Sequence, residues 1–171
     1  MLSKKMEEAL NEQVKWEIYS AYLYLSMASY FQDLGLPGFA NWMRVQDQEE
    51  RSHAEKFFDF VIERGGRMIL QPIDAPPSEW KSPLDAFEDT LKHEQQVTAR
   101  INNLMDLAIK EKDHATVSFL HWFIDEQVEE EANDTDVINK LKMVEKTQGG
   151  LFMLDKELAT RVYTPPAQTA A

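Results

Sequence analysis

The helix-breaking residues of this chain are gathered at a few points and leave long stretches untouched. The 6 glycines and 7 prolines of the 171-residue sequence are confined to Gly35-Leu36-Pro37-Gly38, Gly65-Gly66, the stretch from Pro72 to Pro83, Gly149-Gly150 and Pro165-Pro166. Between them apolar side chains recur every three or four positions, the spacing that lines one face of a helix. The pattern predicts helices over 4–33, 39–64, 83–110 and 114–146, a shorter one over 151–162 and a tail over 163–171, all in one domain. Ser82 followed by Pro83 is a helix start, Asp113 can cap the fourth helix, and Gly65-Gly66 can take the left-handed stop.

Link lengths then restrict the topology. The first and second predicted helices are joined by a few residues, as are the third and fourth, so each pair forms an antiparallel hairpin. Residues 67–82, with Pro72, Pro76 and Pro77, read as extended. At ~3.3 Å per residue they reach roughly 50 Å, enough to pass a helix of about 40 Å. The expectation is an all-α four-helix bundle with one long crossover connection, parallel second and third helices, and a short fifth C-terminal helix. The apolar face of that last helix (Leu151, Phe152, Leu154, Leu158, Val162) is expected to be buried against other subunits.

Charged residues interrupt the apolar stripes of the four long helices. Glu17 lies among Leu10, Val14, Ala21, Tyr24 and Ala28, and Glu50 and His53 lie between Met43, Gln46, Phe57 and Phe60. Glu94 sits between Phe87, Leu91 and Ile101, Met105, and Glu130 between Leu120, Phe123 and Val137, Leu141. A charge on a core face costs several kcal/mol unless it is paired or bound to a metal. Four carboxylates on four helices call for one shared explanation, and a buried metal cluster supplies it. Glu50 and His53 form a Glu-x-x-His element, whose three-residue spacing puts both on one face; Gln127 and Glu130 hold the same relation on the fourth helix. Carboxylates with one imidazole suit iron, manganese or zinc more than copper. Four negative charges balance two divalent ions, and the neutral Gln127 weakens the hold on oxidised ions, which favours turnover of metal over a fixed cofactor. Glu49, Glu126 and Glu129 flank the site, rotated off the core, as an auxiliary metal position or a cation-attracting surface.

Composition closes other routes. With no cysteine, disulfides, thiolate metal sites and iron–sulfur clusters are excluded. A net charge of −12 argues against nucleic acid and anionic membranes as partners. No apolar run approaches the ~20 residues of a membrane span, and Met1-Leu2-Ser3-Lys4-Lys5 lacks the core of a signal peptide, so the expected location is the cytoplasm.

Three segments carry a resemblance: Trp16-Glu17-Ile18-Tyr19-Ser20-Ala21-Tyr22-Leu23-Tyr24, Glu49-Glu50-Arg51-Ser52-His53-Ala54, and Trp122-Phe123-Ile124-Asp125-Glu126-Gln127-Val128-Glu129-Glu130. With the crossover and the fifth helix, the chain resembles a bacterial-type non-haem ferritin over essentially its full length. The resemblance implies a ferritin-like fold and a shell of twenty-four subunits. It implies oxidation of Fe2+ by O2 or H2O2 at a di-iron centre within each subunit, with storage of ferric iron as a mineral. It assigns Glu17, Glu50 and His53 to one iron, Glu50 as bridge, and Glu94 and Glu130 to the second with Gln127 close by. Glu49, Glu126 and Glu129 match a third iron site, and Tyr24 and Trp122 match aromatics that supply electrons. Haem is not expected, because Ser52 stands where bacterioferritins carry the haem-binding methionine, and Val97 replaces a second histidine after Glu94.

Taken singly, each of these residues has a plainer reading. Glu17 or Glu94 alone suggests a carboxylate paired with a core Arg or Lys, yet Lys15, Arg44 and Arg100 flank the stripes without sharing their phase. Tyr24, Trp122, Met27, Met43 and Met105 alone suggest core filler. The alternative function is a dedicated di-iron or di-manganese redox enzyme, a peroxidase or oxidase, with tightly kept metal and no use for a shell.

Overall fold

Each long helix begins where a side chain can satisfy a backbone N–H that the helix leaves unpaired. The computed structural model describes residues 2–165, and its regular elements there are helices alone. Ser3 accepts from Met6 N–H at the start of α1 (Lys4–Asp33). Ser82 accepts from Asp85 N–H before α3 (Pro83–Glu111), and Asp113 from Thr116 N–H before α4 (His114–Val144). Such caps contribute about 1 kcal/mol each. Helix α2 (Pro37–Glu63) has no capping side chain of its own. The N–H groups of Gly38 and Phe39 donate instead to Asp155 Oδ1, at 2.7 and 3.1 Å, a residue of α5 (Gly150–Leu158).

Several helix ends differ from the sequence expectation by one to four residues, α4 for example ending at Val144, and two of the shifts have a clear physical reason. Helix α2 starts at Pro37, not 39, because proline fits a first helical position and Gly38 lies inside the first turn. Glycine is required there: a Cβ on Gly38 would sit 1.6 Å from the carbonyl oxygen of Asp155. Helix α5 ends at Leu158, not 162. Asn41 Nδ2, from α2, donates to the carbonyls of Leu158, Ala159 and Arg161 at 3.3, 3.4 and 3.0 Å, and so draws the chain out of the helix. The apolar face of α5 is correspondingly split: Leu154 and Leu158 are buried within this chain, whereas Phe152 and Val162 are exposed. Residues 166–171 of the expected tail lie outside the described residues.

The crossover is pinned along α1. Asn11 holds it at both backbone groups, donating to Arg67 O and accepting from Ile69 N–H. Ser26 donates to Pro77 O further along, and Trp80 packs edge-on against Tyr30. The link thus returns from the N-terminal end of α1 to its C-terminal end, which makes α2 and α3 parallel. Phe39 and Phe87, near the starts of these two helices, accordingly meet with ring centroids 5.9 Å apart. The second hairpin closes at Lys112, in the left-handed conformation, and Arg64 pairs with Asp113 at 3.0 Å to join the hairpins at this end.

Two apolar clusters fill the bundle, one toward each end. One is built on Tyr24, Met27, Phe31, Phe39, Met43, Phe87 and Val137. The other is built on Leu10, Val14, Phe57, Ile101, Leu120 and Phe123, with Phe57 and Phe123 stacked at 4.1 Å. Burying such side chains stabilises by about 1.5–3 kcal/mol each. Between the clusters the core turns polar, with Glu17, Ser20, Glu50, His53, Glu94, Gln127 and Glu130 all buried. Among the described residues no helix is long and apolar enough to cross a membrane.

Candidate metal centre

Helical phase brings three candidate ligands together. Glu17 from α1, with Glu50 and His53 one turn apart on α2, are 1%, 2% and 2% exposed. One potential ligand atom from each lies within 4.8 Å of the other two, and they form the compact group of this kind among the described residues. His53 Nδ1 is 3.9 Å from Glu17 Oε2 and 3.6 Å from Glu50 Oε2. Both of those carboxylate oxygens are buried without a hydrogen-bond partner. Leaving such a group unsatisfied costs kcal/mol, so two facing one imidazole fit a site built for a cation. The other oxygen of Glu17 accepts from Gln13 Nε2 at 2.7 Å, which leaves Oε2 to face His53.

The second hairpin supplies the opposite wall. Glu94, on α3, is fully buried; Tyr24 OH donates to its Oε1 and Gln127 Nε2 to its Oε2 at 3.1 Å. Gln127 is held in turn beside Thr98 Oγ1 at 3.3 Å. Glu130, on α4, accepts at Oε2 from Gln46 Nε2 across the bundle at 2.9 Å. Trp122 lies edge-on to His53, centroids 5.4 Å apart, under the Lys56 ammonium at 4.2 Å.

Crowding of buried carboxylates sets the electrostatics. Burial lifts Glu50 well above the usual carboxylate range, with Glu94 and Glu17 adding to the rise against the opposing His53. Burial, then Glu130, lifts Glu94 to about 8, and burial likewise raises Glu130. For His53 burial works the other way, but Glu50, Glu126 and Glu17 outweigh it and hold the imidazole well above its ordinary value. Tyr24 is raised well above 10 by burial and by Glu94, so it stays a neutral donor. Protons on these groups offset the like charges, and a divalent cation that displaces them meets a ready-made anionic cage.

The outer carboxylates are arranged differently. Glu126 Oε1 lies 3.7 Å from His53 Nε2. Glu49 Oε2 is bound by Arg161 Nη2 at 2.7 Å, and Glu129 is exposed. Among the described residues these three carboxylates do not converge into one compact group.

Four buried polar residues here were not singled out from the sequence. Gln13, Gln46 and Asp134 stand four positions from Glu17, Glu50 and Glu130, so the spacing that found the glutamates also points to them. Asp134 is 1% exposed, its Oδ2 has no partner, and burial with Glu94 and Glu130 raises it well above 3.8. His93 is buried against Ser20 Oγ at 2.7 Å, and burial, then Arg100, lowers it to about 4.

The family model for the ferritin-like domain matches residues 7–144. The chain belongs to the ferritin family. It is 45% identical over 163 residues to a bacterial non-haem ferritin of Staphylococcus saprophyticus, covering 95% of this chain and 98% of that one. It is 43% identical over 161 residues to one from Bacteroides fragilis, covering 94% and 100%. Among solved structures it superposes on an open-pore ferritin from the hyperthermophilic archaeon Archaeoglobus fulgidus with a TM-score of 0.94. The identity there is 57%, and 95% of this chain and 100% of that chain are covered. Ferritin membership brings iron storage with it, and the buried Glu17–Glu50–His53 group is compatible with a metal site.

Proposed function

We propose that each subunit of this ferritin is a ferroxidase, taking up Fe2+ as substrate at the centre between its hairpins and releasing Fe3+ for storage. The observation that carries the reading is the pair of buried, unpartnered oxygens, Glu17 Oε2 and Glu50 Oε2, facing His53. Glu17, Glu50 and His53 hold one ferrous ion, with Glu50 as bridge. Glu94 and Glu130 hold the other, with Gln127 beside them. Each ferrous ion gives up one electron, and O2 or H2O2 accepts the pair. The protein residues supply position and charge. Gln13 orients Glu17, Tyr24 and Gln127 orient Glu94, and Gln46 orients Glu130, each through one carboxylate oxygen. Trp122, edge-on to His53, and Tyr24, on Glu94, flank the centre and supply the two electrons beyond the iron pair where O2 is taken to water.

Four carboxylates neutralise two divalent ions, and oxidation leaves excess positive charge that the neutral Gln127 does not offset. Trivalent iron is therefore held less well than with a fifth carboxylate in place of Gln127, and moves on to the store. The resemblance to ferritins supports assembly into a hollow shell of twenty-four subunits around that store, located in the cytoplasm.

The test is rapid-mixing measurement of ferric-iron absorbance with Glu50→Ala and His53→Ala variants whose helicity and assembly match the parent. Oxidation should slow by about 10-fold or more. A parent-like rate in either variant overturns the assignment.

A further inference from the structure

The carboxylates singled out around this centre meet one Lys or Arg in an ion pair among the described residues, and it comes from beyond the last helix. Arg161 Nη2 binds Glu49 Oε2 at 2.7 Å, with both side chains largely covered at 16% and 19% exposure. Its position is constructed from three points on α2. Asn41 Nδ2 donates to the Arg161 carbonyl at 3.0 Å, the guanidinium lies 4.0 Å over the Trp42 ring, and Glu49 receives the tip. A planar guanidinium that stacks on an aromatic and donates one N–H to a carboxylate is well suited to such a half-buried place. Its charge also acts on Glu130 and Asp134, lowering the proton affinity of both against the burial that raises them.

Resemblance alone would give Glu49 to a third iron ion, together with Glu126 and Glu129. The structure fills that role from within the chain. We propose that Arg161 is a tethered counter-cation that occupies Glu49, so that a third metal ion binds there only by releasing the segment after α5 from α2. The inference deepens the ferroxidase reading, since it concerns where iron goes next to the paired ligands. Two consequences are linked by thermodynamic reciprocity: freeing the segment tightens metal binding at Glu49, and metal at Glu49 frees the segment. A purely structural tack would hold the segment down without affecting metal.

The experiment is anaerobic calorimetric titration of metal-free, assembled protein with Fe2+ alone, comparing the parent with Arg161→Ala and Asn41→Ala. The second variant keeps the guanidinium and removes its backbone anchor. Hydrogen exchange over residues 159–163 is followed in parallel. The parent should bind two ions per subunit first and a third weakly, with exchange of the segment rising only at the third. Arg161→Ala should bind the third at least about tenfold more tightly, a larger gain than at either of the first two ions, and Asn41→Ala should shift the same way by less. A third-ion affinity equal to the parent's in both variants overturns the proposal, as does third-ion binding to the parent without a rise in exchange. Failure of the parent to bind the first two ions overturns the ferroxidase reading instead.

Discussion

Replacing Glu94 with glutamine should make the metal-free protein more stable while weakening its grip on metal. Glu94 is wholly buried, and its carboxyl is lifted from 4.5 to about 8. A folded-state pKa above the unfolded one means the fold prefers the neutral acid. The stabilisation from holding that proton is full below 4.5 and is lost as pH rises through about 8. At pH 7 the shift forces the fold either to keep a proton that the unfolded chain gives up or to bury the charge, a cost of about 3 kcal/mol. Glutamine is neutral at every pH and escapes it. Its amide nitrogen must face either Tyr24 OH or Gln127 Nε2, both donors to the native carboxylate, so about 1 kcal/mol returns as one lost hydrogen bond. The net gain of about 2 kcal/mol corresponds to a melting temperature raised by about 4–8 °C for a chain of this length. Scanning calorimetry on chelator-treated protein at pH 7 measures it, and the gain should vanish near pH 4.5. Adding Zn2+, a redox-silent substitute for Fe2+, should stabilise the parent far more than Glu94→Gln and reverse the order of their melting temperatures. If Glu94→Gln melts at or below the parent at pH 7, or keeps its full advantage at pH 4.5, the reasoning is refuted.

Other perturbations probe separate parts of the structure. Gly38→Ala drives a methyl group into the Asp155 carbonyl and breaks the shared start of α2, so α5 should undock; amide exchange over 150–158 should become fast, and the loss of stability should exceed about 2 kcal/mol. His93, lowered to about 4 by burial and then by Arg100, stays neutral while the unfolded chain takes up a proton near 6.5. Its contribution is therefore complete above 6.5 and is lost as pH falls toward 4, by up to about 3 kcal/mol, so His93→Gln should flatten that limb of the stability profile. A His93 ring resonance titrating near 6.5 in the folded protein would contradict this.

The architecture was largely legible because helix breakers and apolar phase are local properties. Breaks at Gly35, Gly65 and Gly149, the proline-rich link and the Asp113 cap fix the number of helices and their directions, and a four-helix bundle with a short fifth helix follows. The convergence of Glu17, Glu50 and His53 is legible for the same reason, since phase on two adjacent helices brings them to one level. What resisted reading depends on contacts between distant positions. Asp155 serves a helix start 117 positions earlier, and Arg161 reaches Glu49 across 112. Neither leaves a periodic trace. The exposed Phe152 and Val162 and the inward Leu154 and Leu158 show the limit of a single apolar stripe: it says that α5 has a greasy side, not which neighbour receives it.

The loan of Asp155 to α2 also has a bearing on synthesis. Glu50 and His53 ride on a helix whose first turn is completed by a residue translated 117 positions after Gly38, so a polypeptide still emerging from the ribosome carries them on a helix whose first N–H groups lack that partner. The acceptor that completes the first turn of α2 thereby becomes available only once synthesis has passed residue 155.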